Sequence, residues 1–331
     1  MGTDYLIKES VFNNIIIPMN RIIITGGSGL VGNAIRRIAP QYKFHGFEII
    51  FVSSSDCDLT SMADTQNMFK YYSPTHVIHL AACVGGLFKN MNNKVKMLED
   101  NLQINFNVVK CCHDFKVVKL ISCLSTCIFP DKTTYPINET MLHDGPPHSS
   151  NDAYAYAKRM LHIQCKAYRD NYGDNFVCVI PTNVYGPNDN FNLVDGHVIP
   201  SLIHNCYLAK QKGEPFVVKG TGTPLRQFIY SDDLADLILW TLFYYDEEIL
   251  ILSVPEKDEV SIAEVSRIIA DCFDYNDYIL FDEGYSDGQY KKTADNSRLV
   301  EKIGPYKFTD IKLGILTTIR WFNENYHSSR K

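Results

Sequence analysis

Arg21-Ile22-Ile23-Ile24-Thr25-Gly26-Gly27-Ser28-Gly29-Leu30-Val31-Gly32 is the stretch that decides the fold. A short β-branched run enters a glycine-rich turn, and a pattern of helical period over 31–39 follows at once. Gly26 permits the tight turn, Gly29 lets the backbone approach a diphosphate without a Cβ in the way, and Gly32 lets the helix pack closely on the strand. The helix N-terminus adds unpaired N–H groups and a partial positive charge, so Gly26, Gly27, Ser28, Gly29, Leu30, Val31 and Gly32 together predict a cradle for a dinucleotide pyrophosphate. The alternative is a plain glycine-rich turn, and the strand and helix on either side weigh against it.

Outward from this unit the same grammar repeats. Apolar runs without polar alternation predict strands over 21–25, 48–53, 76–80, 117–124 and 176–180, with helices near 31–39, 61–72, 94–113 and 153–172. Strands of that kind suit a parallel sheet covered on both faces by helices. After Pro181 the grammar changes. Pro187, Pro200, Pro215 and Pro224 break up the chain, and a glycine-rich, hairpin-like piece, Lys219-Gly220-Thr221-Gly222-Thr223, intervenes. A strand-to-helix step over 228–239 and a buried strand over 249–254 return towards the first sheet, and helices near 262–273 and 311–325 follow. The expected class is α/β: a Rossmann-like, doubly wound parallel sheet with a smaller C-terminal substrate-binding subdomain. Residues 20–180 with 227–254 form the expected cofactor domain, 181–226 with 255–331 the subdomain, and 1–19 an N-terminal extension.

Composition narrows the function classes. The chain has 331 residues, 45% of them hydrophobic and 21% charged, enough to bury a substantial core. No apolar run approaches the ~18 residues a membrane span needs. With 32 Lys and Arg against 38 Asp and Glu the formal net charge is −6, which gives no global reason to bind a nucleic-acid backbone. The ten cysteines lack metal-ligand spacing and fit reduced thiols, hence no metal and a cytoplasmic location.

Dinucleotide folds usually carry an acid at the end of the second strand for the ribose 2′-hydroxyl, yet this one ends Phe51-Val52-Ser53-Ser54-Ser55. Hydroxyls at Ser53 and its neighbours would accept a 2′-phosphate, with Arg36 or Arg37 supplying charge, so NADP is expected over NAD. Either arginine is equally readable as a solvated surface residue. Asp58-Leu59 are candidates to hold the adenine amino group and cover its face, and Asp58 is alternatively a helix N-cap.

Tyr154-Ala155-Tyr156-Ala157-Lys158 puts Tyr154 and Lys158 on one helix face, where a cation beside a phenol favours phenolate and so a proton exchange near neutral pH. Alone, the pair is a weak signal. Ser125 lies at the carboxyl end of the fourth expected strand, where ligands of open α/β sheets bind. The order glycine turn, Ser125, Tyr154, Lys158, with Val77-Ile78-His79-Leu80-Ala81-Ala82 between, resembles the short-chain dehydrogenase/reductase superfamily, and the length its extended branch.

Longer motifs sharpen the resemblance. His79-Leu80-Ala81-Ala82-Cys83-Val84-Gly85-Gly86, Ser125-Thr126-Cys127-Ile128-Phe129-Pro130, Pro181-Thr182-Asn183-Val184-Tyr185-Gly186-Pro187, Gly196-His197-Val198-Ile199-Pro200, Gly222-Thr223-Pro224-Leu225-Arg226 and Ser286-Asp287-Gly288-Gln289 are similar to the GDP-L-fucose synthase family. That resemblance implies 3,5-epimerisation of a GDP-4-keto-6-deoxy sugar followed by NADPH-dependent reduction at C4. It implies Cys127 and His197 as base and acid on carbon, and Tyr154 as proton donor with Lys158 and Ser125 assisting. An imidazolium beside a thiol would stabilise its thiolate. Read without the family, Cys127 is a buried structural cysteine and His197 a helix-capping histidine. The resemblance further implies that Lys158 holds the nicotinamide ribose, that Leu80, Ala81, Ala82, Pro181, Thr182, Asn183, Val184 and His197 line the cofactor, and that Asn205, Lys219, Arg226 and Asp287 face the GDP-sugar. Asn205 stands where a basic residue is usual and Lys219 where some members have tryptophan. A homodimer is expected, pairing the helices near 94–113 and 153–172. The rivals are another extended reductase or nucleotide-sugar 4-epimerase, which needs neither Cys127 nor His197, and a cofactor-sensing module without catalysis.

Overall fold

The structure, a computed structural model, describes residues 20–42, 46–85, 91–285, 287 and 289–331. The extension expected over 1–19, and Gly86, Ser286 and Gly288 of the quoted motifs, lie outside the described residues.

Six parallel strands form the central sheet: β1 (Asn20–Thr25), β2 (Phe47–Val52), β3 (His76–His79), β4 (Lys119–Cys123), β5 (Phe176–Pro181) and β10 (Ile249–Leu252), in the order β10-β5-β4-β3-β1-β2. Successive side chains of a strand point to opposite faces, and both faces here are apolar. Ile23, Val77, Leu120, Cys178 and Ile251 join one buried core with Phe69, Val108 and Leu161. Those last three come from helices α2 (Met62–Tyr72), α3 (Lys94–Asp114) and α4 (Asp152–Tyr172). Ile22, Ile24, Ile78, Ile121, Val179 and Leu250 join the second core with Ile35 and Leu237, from α1 (Leu30–Ile38) and α6 (Ser231–Tyr244). Each such side chain contributes about 1.5–3 kcal/mol by leaving water. The doubly wound sheet expected from the sequence is thus observed, with the fourth strand shorter than 117–124.

A third core, including Tyr185, Phe191, Ile203, Phe216, Val265 and Phe322, lies apart from the sheet. It is built around α5 (Val198–Lys212), α7 (Ile262–Cys272) and α9 (Ile311–Glu324). The expected hairpin at Lys219–Thr223 is corrected. The preceding strand β7 (Phe216–Lys219) pairs in parallel with β12 (Ile279–Asp282), and the following β8 (Leu225–Arg226) pairs antiparallel with β11 (Val260–Ser261). Between them Gly220 and Gly222 take φ values of +91° and +75°, and Asp287 accepts from the Thr221 backbone N–H at 2.7 Å. Local glycine content made the turn, but distant strands supplied the partners. The step over 228–239 likewise splits: β9 (Phe228–Tyr230) pairs with β6 (Asn183–Tyr185), and it is β10 that rejoins the main sheet.

Candidate active site

Loops at the carboxyl ends of the sheet strands and the start of α5 enclose a cleft of about 1340 Å³. Sites for one drug-sized ligand run to about 300–1,000 Å³, so this cleft has room for two.

One end is the glycine turn. Gly26 has φ +71°, and a Cβ there would sit 2.8 Å from the Ala81 backbone nitrogen; at Gly32 a Cβ would lie 2.7 Å from the Gly26 carbonyl. Both glycines are demanded by close packing of strand, turn and helix. Gly29 differs: a Cβ there would meet only the Gly26 oxygen, at 3.2 Å, and otherwise point into open space. Gly29 is also the N-cap of α1, with no side-chain cap and no acid in the first turn. Elsewhere Ser61, Ser261 and Asp310 cap their helices with side-chain oxygens. The N–H groups of α1 therefore remain for an anion, and the residues present fit a dinucleotide pyrophosphate. Ser28, Leu30, Val31, Leu80, Ala81 and Ala82 line the same end, while Gly27 packs behind it against Phe51.

The end of β2 requires a correction. The expectation that no acid stands there overlooked Asp56, whose carboxylate accepts from the Ser53 backbone N–H at 2.8 Å and from its hydroxyl at 2.6 Å. Those two bonds hold the Asp56 carboxyl below its ordinary value. Ser53 still lines the cleft, with its hydroxyl already engaged. Asp58 and Leu59 line it too, but Asp58 does not cap α2: it accepts from the Thr60 N–H and hydroxyl, and Ser61 is the cap. Of the two arginines, Arg37 is committed to Asp232 and to the Asn188 side chain. Arg36 lies over the Phe51 ring, 3.9 Å from its centroid, at the edge of this end.

Mid-cleft, Ser125, Tyr154 and Lys158 come together as expected. Ser125 follows β4, and its hydroxyl accepts from the Cys127 backbone N–H at 3.4 Å. Lys158 is only 2% exposed; its ammonium donates to the Cys123 carbonyl at 2.7 Å and stands 5.9 Å from the Tyr154 ring centroid. The expected phenolate is corrected. Burial pushes the Tyr154 phenol well above its ordinary value, and Cys127, Cys123 and Cys83 push the same way. That direction favours the protonated phenol, the form that donates a proton. Pro181, Thr182, Asn183 and Val184 line the adjoining wall, where the Thr182 hydroxyl is buried without a partner among the described residues and fits a polar group of a bound ligand.

Cys127 and His197 border different cavities. His197 lines the cleft as the N-cap residue of α5, with no side-chain capping bond. Cys127, in the turn after β4, borders a small adjoining pocket with Tyr135, His148, Gln289 and Lys292. Burial pushes its thiol up; the Ser125 hydrogen bond, then Lys292 and Lys158, pull it down. The cations that act on the sulfur are Lys292 and Lys158.

Asn205, Lys219, Arg226 and Asp287 all line the far end of the cleft. Asn205 donates to the Val217 carbonyl at 2.7 Å, and the Lys219 ammonium lies 4.9 Å from the Tyr285 ring centroid. The Arg226 guanidinium donates to the carbonyls of Leu225, Gln289 and Tyr290, and Asp287 accepts from both the N–H and the hydroxyl of Thr221.

The sequence reading gave no role to Arg330 or to Asp189, the latter read only as part of the family-like stretch Asp189-Asn190-Phe191. Arg330 reaches the cleft from the end of the chain, and no local pattern signals it. Asp189, 3% exposed, has one carboxylate oxygen accepting from the Asn190 N–H at 2.7 Å and the other buried without a partner among the described residues. Burial pushes this carboxyl up to about 6 from 3.8, with His197 and Arg330 acting in the opposite direction. A raised acid pKa means that the fold holds the proton more tightly than the unfolded chain does. Stability is therefore lost as pH rises from about 4 through about 6, by roughly 3 kcal/mol for a two-unit shift. Asp189→Asn is expected to melt at a higher temperature than the wild type at pH 8, with the gap closing by pH 4. A gap of the same size at both pH values would refute the buried-charge account.

A family model described as "NAD dependent epimerase/dehydratase family" matches residues 22–250. A GDP-L-fucose synthase of Dictyostelium discoideum is 53% identical over 311 residues, 94% of this chain and 97% of that protein. A probable GDP-L-fucose synthase of Drosophila melanogaster is 48% identical over 321 residues, covering 95% of this chain and all of the other. Among solved structures, a GDP-L-fucose synthetase from Naegleria fowleri bound to NADP superposes with a TM-score of 0.90 at 48% identity, covering 94% of this chain and 95% of that one.

Proposed function

Because the chain belongs to the NAD dependent epimerase/dehydratase family, within its GDP-L-fucose synthases, we propose that it converts GDP-4-keto-6-deoxy-D-mannose to GDP-L-fucose by 3,5-epimerisation and NADPH-dependent reduction at C4. The observation that carries this reading is one cleft, large enough for two ligands, with Ser125, Tyr154 and Lys158 at its middle and His197 on its wall, and with Cys127 in the turn directly after Ser125.

Bound NADPH supplies the hydride for C4. Inversion at C3 or C5 needs a proton removed from one face of the sugar and another returned to the opposite face. The Cys127 sulfur takes the first; the C–H electron pair enters the C4 carbonyl as an enolate, and His197 returns a proton to carbon. The Ser125 hydroxyl holds the C4 oxygen. Tyr154 gives its phenolic proton to that oxygen as it becomes an alkoxide, and burial suits it to this role by keeping the phenol protonated. Lys158 and Ser125 orient the reacting groups. Asn205, Lys219, Arg226 and Asp287 receive the GDP end, Arg226 facing the diphosphate as a planar cation. The test is to supply pure protein with NADPH and the keto-sugar and identify the product. GDP-L-fucose is expected; a reduced sugar of the D-series would instead favour a simple reductase.

Arg36 is the residue we assign to the 2′-phosphate, since Arg37 is already paired and Ser53 already bonded. Arg36→Ala should raise KM for NADPH by about tenfold or more, a charged hydrogen bond being worth roughly 1.5–3 kcal/mol, and leave KM for NADH unchanged. Parallel losses with both cofactors would count against it.

Residues 20–180 with 227–254 act in this reading as the cofactor-binding part and 181–226 with 255–331 as the sugar-nucleotide part. The third core supports the division, and Leu299, packed in the second core, ties the later segment to the sheet. Homodimerisation through α3 and α4 is supported by an outward stripe on α4, Tyr156, Met160 and Ile163, and by Phe106 on α3, all exposed. Met160→Asp should sediment as a monomer where the wild type sediments as a dimer; identical behaviour would exclude this face. A cytoplasmic location is supported by ten free cysteines, and no helix among the described residues is long and apolar enough to cross a membrane.

A further inference from the structure

The segment after Gln289 lines, through Lys292, the small pocket that Cys127 also borders. It is pinned in an extended course by the Ile137 N–H to the Thr293 carbonyl at 2.9 Å, the Asp295 N–H to the Ile137 carbonyl at 2.8 Å, and the Ala294 N–H to the Gln227 side chain at 2.7 Å. Extended backbone sends alternate side chains to opposite sides. Lys291 goes one way, its ammonium 3.1 Å from Glu256 and 3.7 Å from Glu259, and the Thr293 hydroxyl donates to Glu259 at 2.6 Å on that same side. Lys292 goes the other way, into the small pocket that Cys127 borders.

Among the described residues Lys292 forms no ion pair, although its neighbour Lys291 forms two. Lys292 is half-buried, so part of its hydration is replaced by the walls of the pocket that Cys127 also borders. Burial pulls the Lys292 ammonium down, and the group that most restores it is Cys127, with Asp131 weaker and Arg226 opposing. Lys292 in turn pulls the Cys127 thiol down. The other charged or titratable groups bearing on Cys127 are Lys158, behind Ser125, with Tyr154 and Arg159 from α4 and Tyr135 and His148 in the pocket wall.

We propose that Lys292 is a positioning residue for epimerisation, its ammonium holding the Cys127 sulfur as the thiolate that takes the proton from C3 or C5. In that step the C–H bond breaks, an S–H bond forms, and the electron pair passes to the C4 oxygen; a sulfur that starts as a thiol has no vacant site for the proton. The proposal rests on the reading of Cys127 as the base.

The test is the pH profile of Cys127 labelling by iodoacetamide, read by mass spectrometry of its peptide, in the wild type, Lys292→Gln, Lys292→Met and Lys292→Arg. Only thiolate reacts, so the profile reports ionisation and not integrity of the fold. Lys292→Gln and Lys292→Met should move the profile to higher pH and slow labelling at pH 7 by about tenfold or more, the scale of a neighbouring charge on a pKa. Lys292→Arg should keep the wild-type profile, and all variants should bind NADPH as the wild type does. Deuterium exchange into the keto-sugar at C3 and C5 should fall in step with labelling. Unshifted labelling profiles in Gln and Met variants that still bind NADPH would overturn the role of Lys292, whatever the exchange shows. Undiminished exchange in Cys127→Ser would instead overturn Cys127 as base, while the labelling profile still reports on Lys292.

Discussion

Tyr154→Phe should lose about 10²–10⁴-fold in the NADPH-dependent reduction, the usual contribution of a positioned general acid, and should still wash deuterium from heavy water into the sugar at C3 and C5. The substitution removes one oxygen and leaves a ring of the same shape in the same wall, so cofactor and sugar binding are retained. What disappears is the proton for the C4 alkoxide. Desolvation raises the phenol above its ordinary value and so favours its keeping that proton, and the lysine ammonium stands 5.9 Å from its ring centroid. Proton exchange at carbon requires only that the enolate oxygen be held, and the Ser125 hydroxyl remains in place to hold it. A variant that lost exchange and reduction equally would show that Tyr154 also carries the enolate, and the division of labour between phenol and thiol would fall.

The parts of this site legible in the sequence are those whose geometry is local. The strand, turn and helix from Arg21 onwards specify a phosphate cradle within a dozen residues, because turn conformation and helix N-terminal N–H groups are properties of neighbours in the chain. Tyr154 and Lys158 meet because four residues make about one helical turn. The sheet was legible for a related reason: strands buried on both faces cannot disguise themselves by alternation, and Ile22 to Ile24 are all fully buried.

What escaped is what the chain brings together from far apart. Asp56 was passed over because an acid three residues beyond Ser53 reads as loop, and only its bonds to Ser53 reveal that it caps the strand end. Gly220 and Gly222 read as a hairpin because turn chemistry is local, whereas β7 and β8 take partners from later in the chain. The electrostatic expectations left out one shared influence. Sequence shows which charges stand near a phenol or thiol along the chain, but not how much water is removed, and burial is the largest influence on Tyr154, Cys127 and Asp189 alike. Lys292, which lines a pocket with Cys127, is distant from it in sequence and has no local signal.

Cys127→Ser should fail in the opposite way to Tyr154→Phe. A hydroxyl replaces a thiol of nearly the same size, and the backbone N–H of residue 127 keeps its bond to Ser125, so the turn survives. The chemistry does not, because a serine hydroxyl ionises far above any working pH and no nearby lysine can bring it within reach. Exchange of deuterium into the keto-sugar should fall by about 10²–10⁴-fold. Reduction should persist, since Tyr154, Lys158 and Ser125 are untouched and the C4 ketone is present before any epimerisation. The product should then be a reduced GDP-sugar that never reached the L-configuration, detectable by chromatography against GDP-L-fucose. The pair of variants is more informative than either alone: a general loss of binding or folding would depress exchange and reduction together in both proteins, whereas separate bases and acids require one activity to survive in each. Equal exchange by Cys127→Ser and wild type would remove the thiol from the epimerisation and return the protein to the simple reductase reading.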